Sequence, residues 1–333
     1  MKALILAGGF GTRLRPLTFT RPKHLLPIAN RPHIEHVFEL LRAQGVDEAV
    51  LLTSYLAEAF DEIVVTARER GMTVHVTHEP EPLGTAGALK NAEPFVGEGT
   101  FLAFNGDVLT DVDLGEVLDL HRSRGAVATI LLTPVEDPSA YGVVPTDEDG
   151  RVRGFIEKPP ADEAPTNLIN AGVYVFEPSV LGRIPAGEVW SAERTLFPEL
   201  VAEGAPVYAL GTDAYWMDIG TPEKYLQANL DALAGRFRTS AVPDPGPRAS
   251  VIDAGATVAA DAQVSSACLG SGAVIEPGTA VHEAVLLPGA VVGSGARVTR
   301  SILGARASVA PGARLDGGTV ADDDRIEAVE EDA

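Results

Sequence analysis

From Ile252 onward the chain sets an aliphatic side chain at steps of six, six and five residues: Ile252, Val258, Val264, then Leu269, Ile275, Val281, then Leu286, Val292, Val298, then Leu303, Val309, Leu315, and last Val320. The whole pattern returns every seventeen residues, at 252, 269, 286, 303 and 320. Three inward positions per period predict three short faces per turn, the signature of a parallel β-helix built from hexapeptide repeats. Each coil should stack about 4.8 Å above the last, the ordinary spacing between strands. Gly-Ala and Pro-Gly pairs between the aliphatic positions suit the corners. The expected coil region is 250–321, about four coils. The acidic segment 322–333 lacks the period and reads as a loose cap or a disordered tail.

Ahead of the coils, Ala-Val-Pro-Asp-Pro-Gly-Pro-Arg at 241–248 is too proline-rich for a helix or a central strand. It marks a linker, 239–249, after a first domain at 1–238. That domain begins with the aliphatic run Leu4-Ile5-Leu6-Ala7, then a helical period over 33–44 ended by Gly45. A strand at 46–53, a helix at 56–70 and a strand at 73–77 follow. The βαβαβ order predicts an α/β fold, a doubly wound and mostly parallel sheet with crossover helices.

Between the first strand and the first helix lies Gly8-Gly9-Phe10-Gly11-Thr12-Arg13-Leu14-Arg15-Pro16, running on to Arg21-Pro22-Lys23. Glycines allow backbone N–H groups to turn toward one point, and Arg13 and Lys23 bring charge to the same place. This chemistry holds a polyphosphate. It is not a dinucleotide fingerprint, because Pro16 opposes the helix that such a loop must open, and the Gly-Lys-Ser/Thr of a P-loop is absent. Residues 1–34 contain Lys2, Arg13, Arg15, Arg21, Lys23 and Arg31 but no Asp or Glu, although the chain as a whole carries a formal net charge of −21. The segment reads as a local cationic well for one small, highly charged ligand. The acidic remainder argues against nucleic-acid binding.

The single cysteine, Cys268, allows no intramolecular disulfide and no cysteine-based metal cluster, and reads as a core residue. The 45% hydrophobic content supports a sizeable core. With no export signal and no span of about eighteen apolar residues, the expectation is a soluble cytoplasmic protein with no membrane partner.

Further along, Glu79-Pro80-Glu81-Pro82-Leu83-Gly84-Thr85 runs extended into a turn that opens a helix whose first N–H groups are free. Phe101-Leu102-Ala103-Phe104-Asn105-Gly106-Asp107 is a strand ending in Gly-Asp. A carboxylate there is placed either to hold Mg²⁺ against phosphate oxygens or to cap the next helix. Strands are expected at 126–133, from Tyr141-Gly142, over 152–156, and at 170–176. Glu157-Lys158 closes one of them, either a site pair or a solvated rim. Tyr215-Trp216-Met217-Asp218-Ile219-Gly220-Thr221-Pro222 leads into a helix at 222–234, with Thr221 as N-cap and Pro222 first in the helix.

The GGxGTRLxPLT loop and Pro22-Lys23-His24-Leu25-Leu26-Pro27 resemble the hallmark motifs of the sugar-1-phosphate nucleotidyltransferases, and the likeness extends over essentially the whole chain. Glu79 to Gly87, Tyr215 to Gly220 and the appended coils look most like the mannose-1-phosphate guanylyltransferases, whose coil is a left-handed β-helix. The resemblance implies transfer of a nucleotidyl group from an NTP to a sugar 1-phosphate, GTP and mannose 1-phosphate being favoured. It implies catalytic roles for Arg13 and Lys23, and nucleotide contacts from Leu6, Ala7, Gly8, Gly9, Gly11, Thr12, Glu79, Gly84, Thr85, Asn105 and Gly106. Sugar-phosphate contacts fall on Gly142, Glu157, Lys158, Asn170 and Gly172, and Mg²⁺ on Asp107 and Asp218. Glu79 would read guanine, which offers N1–H and N2–H₂ donors where uracil and thymine offer only N3–H, or it is a solvated loop carboxylate. Thymidylyl- and uridylyltransferases acting on glucose 1-phosphate share the same catalytic set. A sugar-phosphate acyltransferase and a non-catalytic sensor of NDP-sugar are the rivals from other classes. One histidine in the coils, His282, and no extension resembling a coenzyme A site speak against the first; the intact Arg13, Lys23, Asp107 and Asp218 speak against the second. By the same resemblance a homo-oligomer is expected.

Overall fold

The computed structural model describes residues 1–328. They pack into two compact units, one made of residues 1–9 and 37–216, the other of residues 10–36 and the chain from 217 on.

The first unit is built on a sheet of nine strands among the described residues: β1 Lys2–Leu6, β2 Glu48–Thr53, β3 Thr73–His78, β4 Phe101–Asn105, β5 Ala128–Pro134, β6 Gly142–Val143, β7 Ile156–Glu157, β8 Leu168–Phe176 and β9 Val207–Gly211. Its order runs β7-β6-β8-β4-β1-β2-β3, with β5 pairing both β8 and β9. β1 lies between β2 and β4 and is parallel to both, Leu4 opposite Val50 on one side and Ala103 on the other. A strand enclosed in this way needs apolar side chains on both faces, and Ala3, Leu4 and Ile5 are 0% exposed. Parallel pairing dominates, and β8 runs antiparallel to β4 and β5. The β8–β5 register slips between Asn170 and Tyr174, where Gly172 takes φ +73°. That bulge bends the strand out of the ladder.

The helix beginning at His33 ends at Ala43, and Gly45 follows with φ +77°. Ile34, Val37, Phe38 and Leu41 are buried as the period predicts, whereas Leu40 is only partly covered. The helix expected over 56–70 is a 3-10 turn, Ala57–Phe60, followed by a helix Asp61–Glu69. The strand expected over 152–156 forms only a bridge from Val152 to Thr146 before Ile156–Glu157 pairs with Gly142–Val143. In that interval Arg153 N–H turns back to the Pro145 carbonyl.

In the second unit the seventeen-residue period appears directly as strand register. Ile252 pairs with Leu269, Leu269 with Leu286, Leu286 with Leu303, and Leu303 with Val320. A second ladder joins Val258, Ile275, Val292, Val309 and Ile326. Three corners recur at the same interval, each in the left-handed backbone region: Ser266, Glu283, Arg300 and Gly317; Gly272, Gly289, Arg306 and Asp323; Gly278, Gly295 and Gly312. Glycine takes that conformation freely, and a residue with a Cβ pays for it with about 1–2 kcal/mol of strain. The non-glycine corners are therefore held by stacking with their neighbours rather than by local preference.

Two features of this unit depart from expectation. The ladder passes residue 321, because Arg325–Ile326 pairs with Ser308–Val309 and Asp323 forms a two-point ion pair with Arg306 at 2.5 and 2.6 Å. The part of the acidic segment at 329–333 lies outside the described residues. The helix Pro222–Ala234, expected as the end of the first domain, packs on the coil strands Gln263–Leu269, Ala280–Leu286 and Arg297–Leu303. Packing thus assigns this helix to the coil, although the proline-rich segment separates the two in sequence.

Candidate functional site

In the second unit, the glycine loop runs into a 3-10 turn at Thr12–Leu14 rather than an α-helix, in keeping with Pro16. Gly11 has φ +62°, and a Cβ there would lie 3.3 Å from Cβ of Lys23 and 3.1 Å from Thr18 Cγ2. Thr18 Oγ1 donates to the Gly11 carbonyl at 2.8 Å. Lys23 thus begins its own turn, Lys23–Leu25, directly against the glycine.

Arg13 reaches back to the segment preceding the Pro222–Ala234 helix. A Cβ on Gly220 would stand 2.8 Å from Arg13 Nη2 and 3.1 Å from Asp218 Oδ1, so only a glycine lets that guanidinium and that carboxylate share the spot. Asp218 Oδ2 lies 3.6 Å from Lys224 Nζ. Thr221 caps the helix by accepting from Lys224 N–H, and Pro222 is its first residue, as its sequence predicts. Arg13, Asp218 and Lys224 form one alternating charge cluster.

The other cations of the N-terminal segment are engaged elsewhere. Lys2 donates to the Phe95 carbonyl and pairs with Glu48 at 3.1 Å. Arg31 donates to Ser240 Oγ, Arg15 stacks on the Phe19 ring, and Arg21 pairs with Asp322 at 2.6 Å. Arg13 and Lys23 thus stand at the glycine loop, whereas Lys2, Arg21 and Arg31 engage partners distant in sequence and Arg15 stacks on nearby Phe19.

The first unit carries the remaining candidates. β1 ends at Leu6; Ala7 N–H donates to the Leu52 carbonyl, and the Gly8 carbonyl accepts from Ser54 Oγ at 2.5 Å, while Gly9 is exposed. Gly106 N–H donates to the Leu6 carbonyl, so the ends of β4 and β1 are tied where Asp107 follows, partly buried. Asn105 Nδ2 sits 2.8 Å from where a Gly172 Cβ would stand, and its Oδ1 is buried without a hydrogen-bond partner.

Glu79 is 4% exposed rather than solvated. One carboxylate oxygen, Oε2, accepts from Leu83 N–H at 3.1 Å, and the other, Oε1, is buried with no partner. Burial pushes this carboxyl above its ordinary range, against the opposing pull of the Leu83 N–H and of nearby His78. An unpartnered buried carboxylate oxygen is costly and points to a donor supplied from outside.

The helix Gly84–Asn91 begins with two of its first N–H groups occupied. Ala86 and Gly87 both donate to the Trp190 carbonyl, whose oxygen lies 2.8 Å from the place of a Gly84 Cβ. The Thr85 hydroxyl is likewise committed, donating to Glu193 Oε2 at 2.6 Å and accepting from Ala192 N–H at 2.7 Å. Gly84 and Thr85 thus turn toward the Trp190–Glu193 segment of the protein itself.

Gly142 packs flat under Phe155, with a Cβ position 2.5 Å from its ring and 3.2 Å from Glu157 Oε2. Glu157 lies 3.9 Å from both Lys158 Nζ and Arg194 Nη2, and Lys158 holds φ +51° with its N–H on the Tyr141 carbonyl. Asn170 Oδ1 accepts from Gly172 N–H, and its Nδ2 donates to the buried Tyr174 hydroxyl. Trp216 Nε1 donates to the Ala171 carbonyl at 2.9 Å, a packing role that keeps the Asn-Ala-Gly turn in shape. Gly142, Glu157, Asn170 and Gly172 therefore lie on neighbouring strands, β6, β7 and β8, with Lys158 directly after β7. Sequence reading missed Tyr174, Glu193 and Arg194. Nothing local marks them, since Glu193 meets Thr85 across 108 residues.

Among the described residues no cluster of three or more His, Cys, Asp or Glu side chains could hold a metal by itself. No helix among the described residues is long and apolar enough to cross a membrane.

These features describe an α/β protein with a glycine-rich, cation-bearing loop at a strand end and an appended parallel β-helix. Residues 2–235 match the family described as Nucleotidyl transferase, and residues 248–328 match the GMPPB C-terminal domain. The chain belongs to the nucleotidyl transferase family. The interval between the two matched stretches contains all but the last residue of the proline-rich segment. Mannose-1-phosphate guanylyltransferase of Mycobacterium tuberculosis is 42% identical over 234 residues, 70% of this chain and 65% of that protein. The UTP–glucose-1-phosphate uridylyltransferase of Synechocystis is 40% identical over 256 residues, 73% of this chain and 66% of that protein. The chain thus spans about two thirds of the length of these curated relatives. Among solved structures, HddC from Yersinia pseudotuberculosis complexed with GMP-PN is 31% identical, with a TM-score of 0.59 over 68% of this chain and 97% of that one.

Proposed function

We propose that the protein transfers a guanylyl group from GTP to mannose 1-phosphate, releasing pyrophosphate. The meeting of Arg13 and Asp218 over Gly220 carries this reading, because nucleotidyl transfer needs a cation and a metal-binding carboxylate beside one triphosphate. The attacking phosphate oxygen is already ionised at neutral pH, so no general base is required. The barrier lies in bringing two polyanions into line. In this mechanism Arg13 and Lys23 neutralise the triphosphate and the charge that develops at the α-phosphorus. Lys158 orients the sugar phosphate, and Glu157, Asn170 and the Gly142 and Gly172 backbone bind the sugar. Asp107 and Asp218 would hold a divalent cation, Mg²⁺, which supplies charge neutralisation between phosphate oxygens when bound.

The base preference follows from Glu79. Its unpartnered Oε1 matches a donor-rich base edge, and guanine presents two adjacent donors. A mannose-1-phosphate guanylyltransferase at 42% identity and the structural likeness to a protein complexed with GMP-PN support the same choice. The uridylyltransferase at 40% identity keeps UTP and glucose 1-phosphate as the second reading.

The test is a pyrophosphate-release matrix of GTP, dTTP, UTP, ATP and CTP against mannose, glucose and N-acetylglucosamine 1-phosphates with Mg²⁺. GTP with mannose 1-phosphate should be fastest. A maximum at UTP with glucose 1-phosphate would replace the substrate assignment, and silence in every pairing would favour a sensor of NDP-sugar.

Gly220→Ala gives an independent check of the geometry. Its new methyl would displace the tip of a flexible, exposed arginine, so the melting temperature should hardly change. Turnover should nevertheless fall about tenfold, because a small misplacement of a charge-bearing group is expensive in the transition state.

A further inference from the structure

The residues between the phosphate loop and the first helix are bound at both ends by the coil. At one end Asp322 Oδ2 accepts from Arg21 Nη2 at 2.6 Å and from Thr20 Oγ1 at 2.7 Å, while Asp322 Oδ1 accepts from Ala305 N–H at 2.8 Å. At the other end Asn30 Nδ2 donates to the Val251 carbonyl at 3.1 Å and to the Leu269 carbonyl at 2.7 Å, one coil apart. Between them Tyr225 Oη donates to the Pro27 carbonyl, and Ala29 N–H donates to Asn229 Oδ1, both partners lying on the helix that packs on the coils.

Asp322 is no tail residue in this arrangement. Its side chain is 8% exposed and that of Arg21 20%, so the pair is little screened by solvent ions. Arg21, Thr20 and the Ala305 N–H all donate to it, which is what a buried carboxylate requires. One residue separates Arg21 from Lys23, and that residue is buried Pro22, whose ring fixes φ at −58°. Little torsional slack remains between the ion pair and the lysine, which itself stands against Gly11.

We propose that Asp322 is a positioning residue for nucleotidyl transfer. The last turn of the coil holds Arg21, and through Pro22 it sets where Lys23 presents its ammonium group. This inference rests on the transfer reading above, and it gives the β-helix a direct part in the reaction although no reacting group lies on it.

The experiment compares wild type, Asp322→Asn, Asp322→Ala and the charge exchange Arg21→Asp with Asp322→Arg. Steady-state kinetics are read beside hydrogen exchange at the Leu25 and Leu26 amides, which close the Lys23 turn onto the Pro22 and Lys23 carbonyls. Both single variants should lower kcat about tenfold with the KM for sugar 1-phosphate within twofold of wild type. Exchange at the two amides should quicken at least fivefold while amides of the first unit stay unchanged, and the charge exchange should recover most of both losses. Unchanged amide exchange, wild-type kcat in the single variants, or activity lost only in proportion to unfolded protein would each overturn the proposal. A wild-type chain without turnover would sink the transfer reading alone, and the exchange rates would then decide whether Asp322 holds the Lys23 turn.

Discussion

Lys23→Ala and Asp218→Ala are each expected to fold normally and to lose turnover by about a hundredfold or more, the usual cost of removing one preorganised electrostatic contact to a transition state. Neither change empties a core: Lys23 is partly exposed at the start of a 3-10 turn, and Asp218 lies 15% exposed beside Gly220. The two losses should differ in kind. Without Lys23 the triphosphate loses a counter-charge in both ground and transition states, so KM for GTP should rise as kcat falls. Without Asp218, Arg13 and Lys224 lose the carboxylate that stands beside both of them. GTP should then bind at least as tightly while kcat collapses and added Mg²⁺ no longer saturates the rate. Thermal melts together with pyrophosphate release measure both, and a near-wild-type rate in either variant removes that residue from the mechanism.

Glu79→Gln should change base selection and stability in opposite directions. The amide can still accept from Leu83 N–H but cannot offer a charged acceptor to a guanine edge, so the GTP-over-UTP ratio of kcat/KM should fall between about tenfold and a hundredfold. Stability should rise. Burial raises the carboxyl's folded-state value above its unfolded one, so the folded protein favours the protonated form. Its contribution is fully present below the unfolded value and is lost as pH rises through the higher folded value. Above that folded value the wild type holds a charged, half-satisfied carboxylate, which glutamine removes. The variant should melt higher than wild type at pH 7 to 8, and the gap should close in acid as the wild-type group protonates. A constant gap across that range, or an unchanged base ratio, would contradict the buried, unpartnered state of Oε1.

Some parts of the molecule were legible in the residues because their physics is local or periodic. The coil register at 252, 269, 286, 303 and 320 reappears as paired strand positions, since stacked identical turns leave no other way to bury one aliphatic row. The Thr221 cap, the proline after it and the break at Pro16 also follow from backbone chemistry within a few residues. Where reading stopped, the cause was usually a partner far along the chain. The acidity of Asp322, Asp323 and Asp324 suggests solvated tail, yet Asp322 is consumed by Arg21 across 301 residues and Asp323 by Arg306 one coil earlier. Likewise the start of the Gly84–Asn91 helix looks open for a ligand until the Trp190 carbonyl takes two of its donors.

The order of residues alone determined the parallel sheet and the coil, because hydrophobic period and turn chemistry admit few alternatives. It also supplied the inventory of cations and carboxylates from which a phosphate-transfer reading starts. Only the tertiary structure decided which charges are spent and which remain to act: Lys2, Arg21 and Arg31 find partners, Glu79 loses solvent without gaining a second donor, and Arg13 joins Asp218 over a glycine. Whether a charge is neutralised depends on distance in space and on access to water, and neither is written in the neighbouring residues.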